Sequence, residues 1–179
     1  TDSIEVGDMS KSFGAEVPFL RPKEISDDFT SVIEVIRHGI EYFENASEIY
    51  DNICLLYPTA PLIDMDDLRK GQALLKPSDF AVSVSEFPFP IERALLFNCE
   101  KQTIEMRNKK NFYTRSQDFP LAYHDAGQFI FGRKNAWTGK VPMIDGINSP
   151  VFVARERVQD IDNERDWEYA EKLFKLYKK

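Results

Sequence analysis

With 179 residues, 42% of them hydrophobic and 30% charged, the chain is long enough for one domain with a sizeable core and too apolar to stay disordered. Its formal charge of −7 argues against broad binding to nucleic acid or anionic membranes, and no apolar run reaches transmembrane length. No signal peptide opens the sequence, and Cys54 and Cys99 suit free thiols in a reducing compartment, so the cytoplasm is the expected location.

Thr1-Asp2-Ser3 reads as a helix N-terminus with Asp2 or Ser3 as cap, followed by a short helix over Ile4 to Phe13 that Gly14 closes. Glu16 to Leu20 is a brief extended segment stopped by Pro22. Ser26-Asp27-Asp28 announces a second helix, whose apolar face carries Val32, Ile33, Val35, Ile36, Ile40 and Phe43. Asn52-Ile53-Cys54-Leu55-Leu56-Tyr57 is a near-continuous apolar run, the pattern of a central parallel strand buried on both faces. A rigid turn, Pro58 to Leu62, leads to Asp64, Asp66 and Asp67, acidic residues that favour the start of a helix running to about Leu75. Phe80 to Ser85 is the next strand. This alternation predicts a three-layer α/β sheet, in which ligands bind at the carboxyl ends of strands, and so puts Tyr57-Pro58-Thr59 at a site position.

From Glu86 the pattern changes. Phe87-Pro88-Phe89-Pro90 fits neither a helix nor a central strand. Ala94 to Phe97 and Thr103 to Arg107 read as short strands around a turn, and Asn108 to Asn111 as a basic loop. Residues 86–121 form an excursion from the sheet, either a lid or a subunit contact, and their aromatic content favours a dimerisation arm within a single 1–179 domain. Phe129 to Gly132 resumes a strand, and Ser149-Pro150-Val151-Phe152-Val153 is a further extended run. The last helix spans about Asn163 to Tyr177, with Trp167, Ala170, Leu173, Phe174 and Tyr177 as a core-packing stripe.

Between that run and that helix stand Asp160 and Asp162, flanking Ile161. In an extended segment residues two apart share a side, so the carboxylates face one way while Ile161 faces the core. Two like charges at that spacing suit a hard divalent cation, and magnesium, which binds through one or two carboxylates plus substrate phosphates, fits best. The plainer alternative makes Asp162 a helix cap and Asp160 a solvated bystander.

Four stretches occur in one order: Tyr57-Pro58-Thr59-Ala60-Pro61-Leu62, Thr114-Arg115-Ser116-Gln117-Asp118, Tyr123-His124-Asp125-Ala126-Gly127-Gln128-Phe129, and Arg155 to Asp162. Together with Phe87-Pro88-Phe89-Pro90-Ile91 they resemble the pseudaminic acid cytidylyltransferase and CMP-sialic acid synthetase family over nearly the whole chain. The resemblance implies a three-layer nucleotide-diphospho-sugar transferase (Rossmann-like) sheet with a small dimerisation arm. It implies a homodimeric nucleotidyltransferase that joins CTP to a nine-carbon acidic sugar, giving CMP-sugar and pyrophosphate.

By the same resemblance Asp160 and Asp162 are the magnesium-binding pair, and Arg115 is a basic residue near sugar or phosphate. Tyr57, Thr59, Gln117, Tyr123 and Gln128 are substrate-binding candidates. Residue type alone leaves plainer roles open: a packed aromatic for Tyr57, a surface ion pair for Arg115, a structural loop histidine for His124. The family carries a first strand and a basic phosphate loop ahead of the position of Thr1, so the 179 residues are expected to lack them and to bind CTP weakly. A non-catalytic dimerising or sugar-binding module of the same fold, and another nucleotide-sugar pyrophosphorylase, are the alternatives.

Overall fold

A computed structural model describes residues 1–139 and 142–177. The chain opens with α1 (Ile4–Ser12), whose N-terminus is capped when Ser3 Oγ accepts from the Val6 N–H at 3.2 Å. Gly14 follows the helix at φ +89°, the left-handed position that glycine fills without strain. The second helix, α2 (Val32–Asn45), begins later than Ser26-Asp27-Asp28 suggests. Asp27 is used in a turn, where its Oδ1 accepts from the Phe29 and Thr30 N–H groups at 3.0 and 2.7 Å. The cap is Ser31, which exchanges hydrogen bonds with Glu34 three residues on, a reciprocal box that satisfies two orphan donors.

Four strands make the main sheet: β1 (Asn52–Leu56), β2 (Phe80–Glu86), β5 (Tyr123–Arg133) and β6 (Asn148–Phe152), in the order β1-β5-β2-β6. Strand β5 runs antiparallel to both its neighbours, and β6 lies parallel to β2, so β1, β2 and β6 all point one way. Helix α3 (Met65–Leu74) and the short α4 (Lys134–Thr138) complete this part of the fold.

Alternation along the strands sorts the core into two clusters. Phe80 and Ile130 turn to one face and pack with Ile40 of α2 and Trp137 of α4, joined by Ile53 and Leu55. Ala81, Phe129 and Val151 turn to the other, with Leu75 and the α3 residues Leu68 and Leu74. The expected three layers are therefore present: α2 with α4, the sheet, then α3.

Among the described residues the run Asn52–Tyr57 is an edge strand with an antiparallel neighbour, where a central parallel strand was expected. Among the described residues β1 pairs with β5 alone, antiparallel, and Leu56 is 51% exposed. Its apolar composition has another cause, since Ile53 and Leu55 pack toward α2 while Cys54 faces the α3 side. Covering both faces of a strand selects apolar residues whether or not both edges are paired. Both cysteines are free, and burial pushes the Cys54 thiol up to about 11.

Glu86 still belongs to β2, paired with Tyr123, and the chain leaves the sheet from Phe87 to Leu121. This excursion holds a separate antiparallel hairpin, β3 (Leu95–Asn98) and β4 (Thr103–Met106), on which Leu95, Leu96, Phe97 and Ile104 are exposed. The closing helix α5 (Glu164–Tyr177) departs from its expected packing: Ala170 and Leu173 are buried, but Trp167, Phe174 and Tyr177 are exposed. Trp167 and Phe174 instead line a groove of about 190 Å³ with Pro61 and Ile161. Among the described residues no helix is long and apolar enough to cross a membrane.

Helix α3 approaches the sheet at Gly71, where an added Cβ would come within 2.8 Å of the Phe131 ring and 3.0 Å of the Phe129 ring. Gly39 in α2 has nothing within 4 Å of such an atom. Gly71→Val is expected to lower unfolding free energy by about 1–3 kcal/mol through overpacking. Gly39→Ala should raise it by about 0.5–1 kcal/mol, and urea denaturation of the two variants measures both signs.

Candidate active site

Because β1, β2 and β6 run the same way, their carboxyl ends gather at one edge of the sheet, beside the amino-terminal half of β5. Tyr57 follows β1 directly, and its N–H donates to the Gln128 carbonyl at 3.0 Å, extending the ladder by one residue. Pro58 and Thr59 then form a tight turn, closed by the Ala60 N–H on the Tyr57 carbonyl at 3.3 Å. Thr59 is half-buried in that turn.

Strand β5 is longer than the expected Phe129–Gly132 and contains an irregularity. Its register against β2 shifts between Val82 and Val84, and Gly127 takes φ +62°. A bulge of this kind kinks the strand and re-aims its side chains. Asp125 Oδ1 accepts from the Gly127 N–H at 2.8 Å, and the buried Ser83 hydroxyl accepts from the Phe129 N–H at 3.1 Å, replacing lost ladder bonds.

Asp160 sits against this bulge: a Cβ on Gly127 would lie 3.8 Å from its Oδ2. Tyr57 joins them. Burial raises the Tyr57 phenol above its ordinary value, and the Asp125 and Asp160 carboxylates push it the same way, so it stays protonated and able to donate at neutral pH. Tyr57, Asp125, Gly127 and Asp160 thus converge where a ligand is expected in such sheets.

The segment carrying Asp160 leaves β6 through a short 3₁₀ turn, Arg155–Arg157, and is fixed from two sides. The Arg157 guanidinium pairs through Nη2 with Asp67 Oδ2 of α3, and Lys70 Nζ lies 2.9 Å from Asp67 Oδ1. The Arg157 carbonyl accepts from Gln128 Nε2 at 2.5 Å. Asp67 is 2% exposed and Gln128 1%. Burial pushes the Asp67 carboxyl up, but its hydrogen bonds and ion pairs with Lys70 and Arg157 outweigh that and leave it below the usual carboxylate value. Gln128 Oε1 and Arg157 Nη1 are buried without a partner among the described residues.

Asp160 and Asp162 are exposed, with Ile161 half-buried between them and lining the groove beneath α5. Asp162 is not the helix cap: Asn163 accepts from the Arg165 and Asp166 N–H groups, while Asp166 accepts back from those of Asp162 and Asn163. That leaves the Asp162 carboxylate without a capping role. Among the described residues no three carboxylate, histidine or cysteine groups form a closed metal cage. Asp160 and Asp162 are exposed and could serve only an open magnesium site, which takes its remaining ligands from water and phosphate.

The other candidates lie apart from this cluster. Tyr123 begins β5 with its ring 5.0 Å from Phe152. Arg115 and Gln117 stand in the arm, where the Arg115 guanidinium makes a two-pronged pair with Asp118 at 2.9 and 3.1 Å. His124 is occupied locally, its Nδ1 2.7 Å from the Asp125 carbonyl and its ring 5.0 Å from that of Phe87.

No protein-family model matches the chain. Over 178 residues it is 36% identical to the pseudaminic acid cytidylyltransferase of Campylobacter jejuni, a span covering 98% of this chain and 76% of that protein. The chain belongs to the pseudaminic acid cytidylyltransferase family. More distant relatives of this cytidylyltransferase family member include the CMP-N,N'-diacetyllegionaminic acid synthase of Legionella pneumophila, 22% identical over 98% of this chain and 76% of that protein. The N-acylneuraminate cytidylyltransferase of Escherichia coli is 27% identical over 95% of this chain and 40% of its own length. Among solved structures, a nucleoside-diphosphate-sugar pyrophosphorylase from Vibrio cholerae aligns over 78% of this chain and 64% of its own, at TM-score 0.43 and 11% identity.

Sequence reasoning about this cytidylyltransferase family member missed Asp125 and the Asp67–Arg157 pair. Asp67 had a readable signal: it shares the inward helical face of α3 with Gly71, Leu74 and Leu75, where a carboxylate needs a partner. Folded Asp67 keeps its charge to lower pH than the ordinary 3.8, so its contribution to stability is complete above that value and is lost as pH falls through the folded value. Urea denaturation between pH 7 and about pH 3 should show a steeper loss in the native protein than in Asp67→Asn, which has nothing to protonate at that position.

Proposed function

We propose that the protein transfers CMP from CTP to a nine-carbon acidic sugar, pseudaminic acid, and releases pyrophosphate. The observation that carries this reading is the 36% identity, spread over 98% of the chain, with an enzyme named for that reaction. The convergence of Tyr57, Asp125 and Asp160 at the strand ends supports it.

The sugar's anomeric hydroxyl attacks the α-phosphorus, a reaction that needs in-line positioning and charge neutralisation more than covalent help. Asp160 and Asp162 would hold magnesium together with the triphosphate, and the ion would neutralise charge on the leaving pyrophosphate. Tyr57 donates a hydrogen bond to the sugar from the end of β1, with Thr59 in the following turn, and Tyr123 meets the sugar from the start of β5. Gln128 is expected from the sequence to meet the sugar, but it is 1% exposed and spends its amide N–H on the Arg157 carbonyl, so its role here is to hold the segment that leads to Asp160. Arg115 meets phosphate or sugar by giving up Asp118, and Gln117 accompanies it on the arm.

A second copy covers the arm. A lone two-stranded hairpin is marginal in water, and β3–β4 exposes Leu95, Leu96, Phe97 and Ile104 with Phe112 and Tyr113 nearby in sequence. Sedimentation at micromolar concentration should give a dimer, and a monomer would overturn this part of the reading.

The activity is tested by following pyrophosphate release from CTP with pseudaminic acid, N-acetylneuraminic acid and no sugar, using the full-length gene product. Turnover is expected to be fastest with pseudaminic acid, and no turnover with any nine-carbon acid overturns the reading. Asp160→Asn should cut turnover by about 10²-fold or more. Because Asp160 is exposed, the same variant should unfold within about 0.5 kcal/mol of the native protein. Wild-type turnover and magnesium dependence in Asp160→Asn would remove the carboxylate from the metal site.

A further inference from the structure

The geometry points to Asp67 as a positioning residue that acts on Asp160 through Arg157, although Asp67 lies on α3 and touches no proposed substrate. The inference rests on the reading of Asp160 as a magnesium ligand and adds the device that holds it in place.

Arg157 precedes Asp160 by three residues, within a segment whose backbone is otherwise short of regular structure. It is held at both ends of the residue. The guanidinium reaches the buried Asp67 carboxylate, and the main-chain carbonyl takes the amide of Gln128 from the floor of the sheet. Gln128 is the residue after Gly127, against which Asp160 rests. Asp67 is therefore joined to Asp160 by one ion pair and three residues of chain, with the Gln128 hydrogen bond anchoring the same residue 157 from the sheet. Lys70 supplies a second positive partner, so Asp67 remains charged and fixed while Arg157 draws on it.

A pair whose task was stability alone would be an inefficient choice, since buried ion pairs often do no better than apolar replacements of the same size. Its geometric product is different. The Asp67 carboxylate on α3, held on its other oxygen by Lys70, sets where residue 157 sits, and residue 157 sets how far Asp160 can move from the bulge. Groups that orient a metal ligand from behind typically change metal affinity or activity by about 10–100-fold when removed.

The experiment uses the full-length gene product and four variants: Asp67→Asn, Asp160→Asn, their combination, and the paired apolar replacement Asp67→Leu with Arg157→Met. Each is measured for the magnesium concentration giving half-maximal turnover, for amide hydrogen exchange across residues 155–162, and for its melting curve. Asp67→Asn should raise the half-maximal magnesium concentration about tenfold or more and speed exchange in 155–162, with α2 protected as before. Asp67→Asn should add no further loss to Asp160→Asn, because the two act on one interaction; a purely structural role would multiply the losses. The apolar pair is expected to melt like the native protein yet share the weakened magnesium response. Native magnesium dependence in the apolar pair, unchanged exchange in 155–162, or multiplicative losses would each overturn the inference. Wild-type turnover in Asp160→Asn would overturn the underlying reading of the site instead, a result separable from the exchange measurement.

Discussion

The antiparallel placement of β5 between β1 and β2 is the constraint from which the rest of the architecture follows. It brings the carboxyl ends of its two neighbours to its own first half, where Asp125, Gly127 and Gln128 occur. A strand wholly regular there would keep its backbone in the ladder and its side chains alternating. The bulge breaks that alternation at the place where Tyr57 and Asp160 arrive, and Ser83 and Asp125 supply the hydrogen bonds that the ladder gives up. Satisfying each displaced N–H is what makes such an irregularity tolerable inside a core.

Behind the strand ends lies a second, electrostatic constraint. Asp67 is nearly inaccessible and charged, a state that survives in the interior only with close positive partners. Arg157 and Lys70 fill that requirement from a different part of the chain and from the next turn of the same helix. Hydrophobic packing sets α3 against the sheet through Leu68, Leu74 and Leu75, and Gly71 fixes how near it comes. The helix is thus a rigid base for the carboxylate, and the segment after β6 borrows that rigidity.

Much of this is legible in the sequence. Helix α3, strand β2 and helix α5 follow from acidic starts, alternation and helical spacing, all local signals. Ile161, expected to face the core, is half-buried and lines the groove beneath α5. What failed is instructive in physical terms. Strand β1 looked central because burial of two faces and pairing at two edges leave the same apolar imprint. Strand β5 looked short because Asp125-Ala126-Gly127 carries the residues of a turn, and the turn-like conformation at Gly127 is real but embedded in a strand. The α5 stripe gave the right face and overstated its burial, because periodicity records which residues share a side and not whether anything covers them. The Asp67–Arg157 pair joins positions 90 apart, and no local pattern encodes such a contact.

The two edges of the sheet are treated differently by the sequence. Strand β6 carries Pro150 in the middle of its span, a residue with no N–H to offer, so that edge is poorly suited to recruiting another strand. Strand β1 has no such guard along Asn52–Leu56, and among the described residues its outer backbone groups meet no partner strand. An open, apolar edge is a template for intermolecular cross-β growth. Opposing it is the net charge of −7, which keeps copies apart at low ionic strength and is screened within about 8 Å at physiological salt. Among the described residues, then, charge and not a blocked edge is what separates the β1 strands of neighbouring copies, and electrolyte weakens that separation.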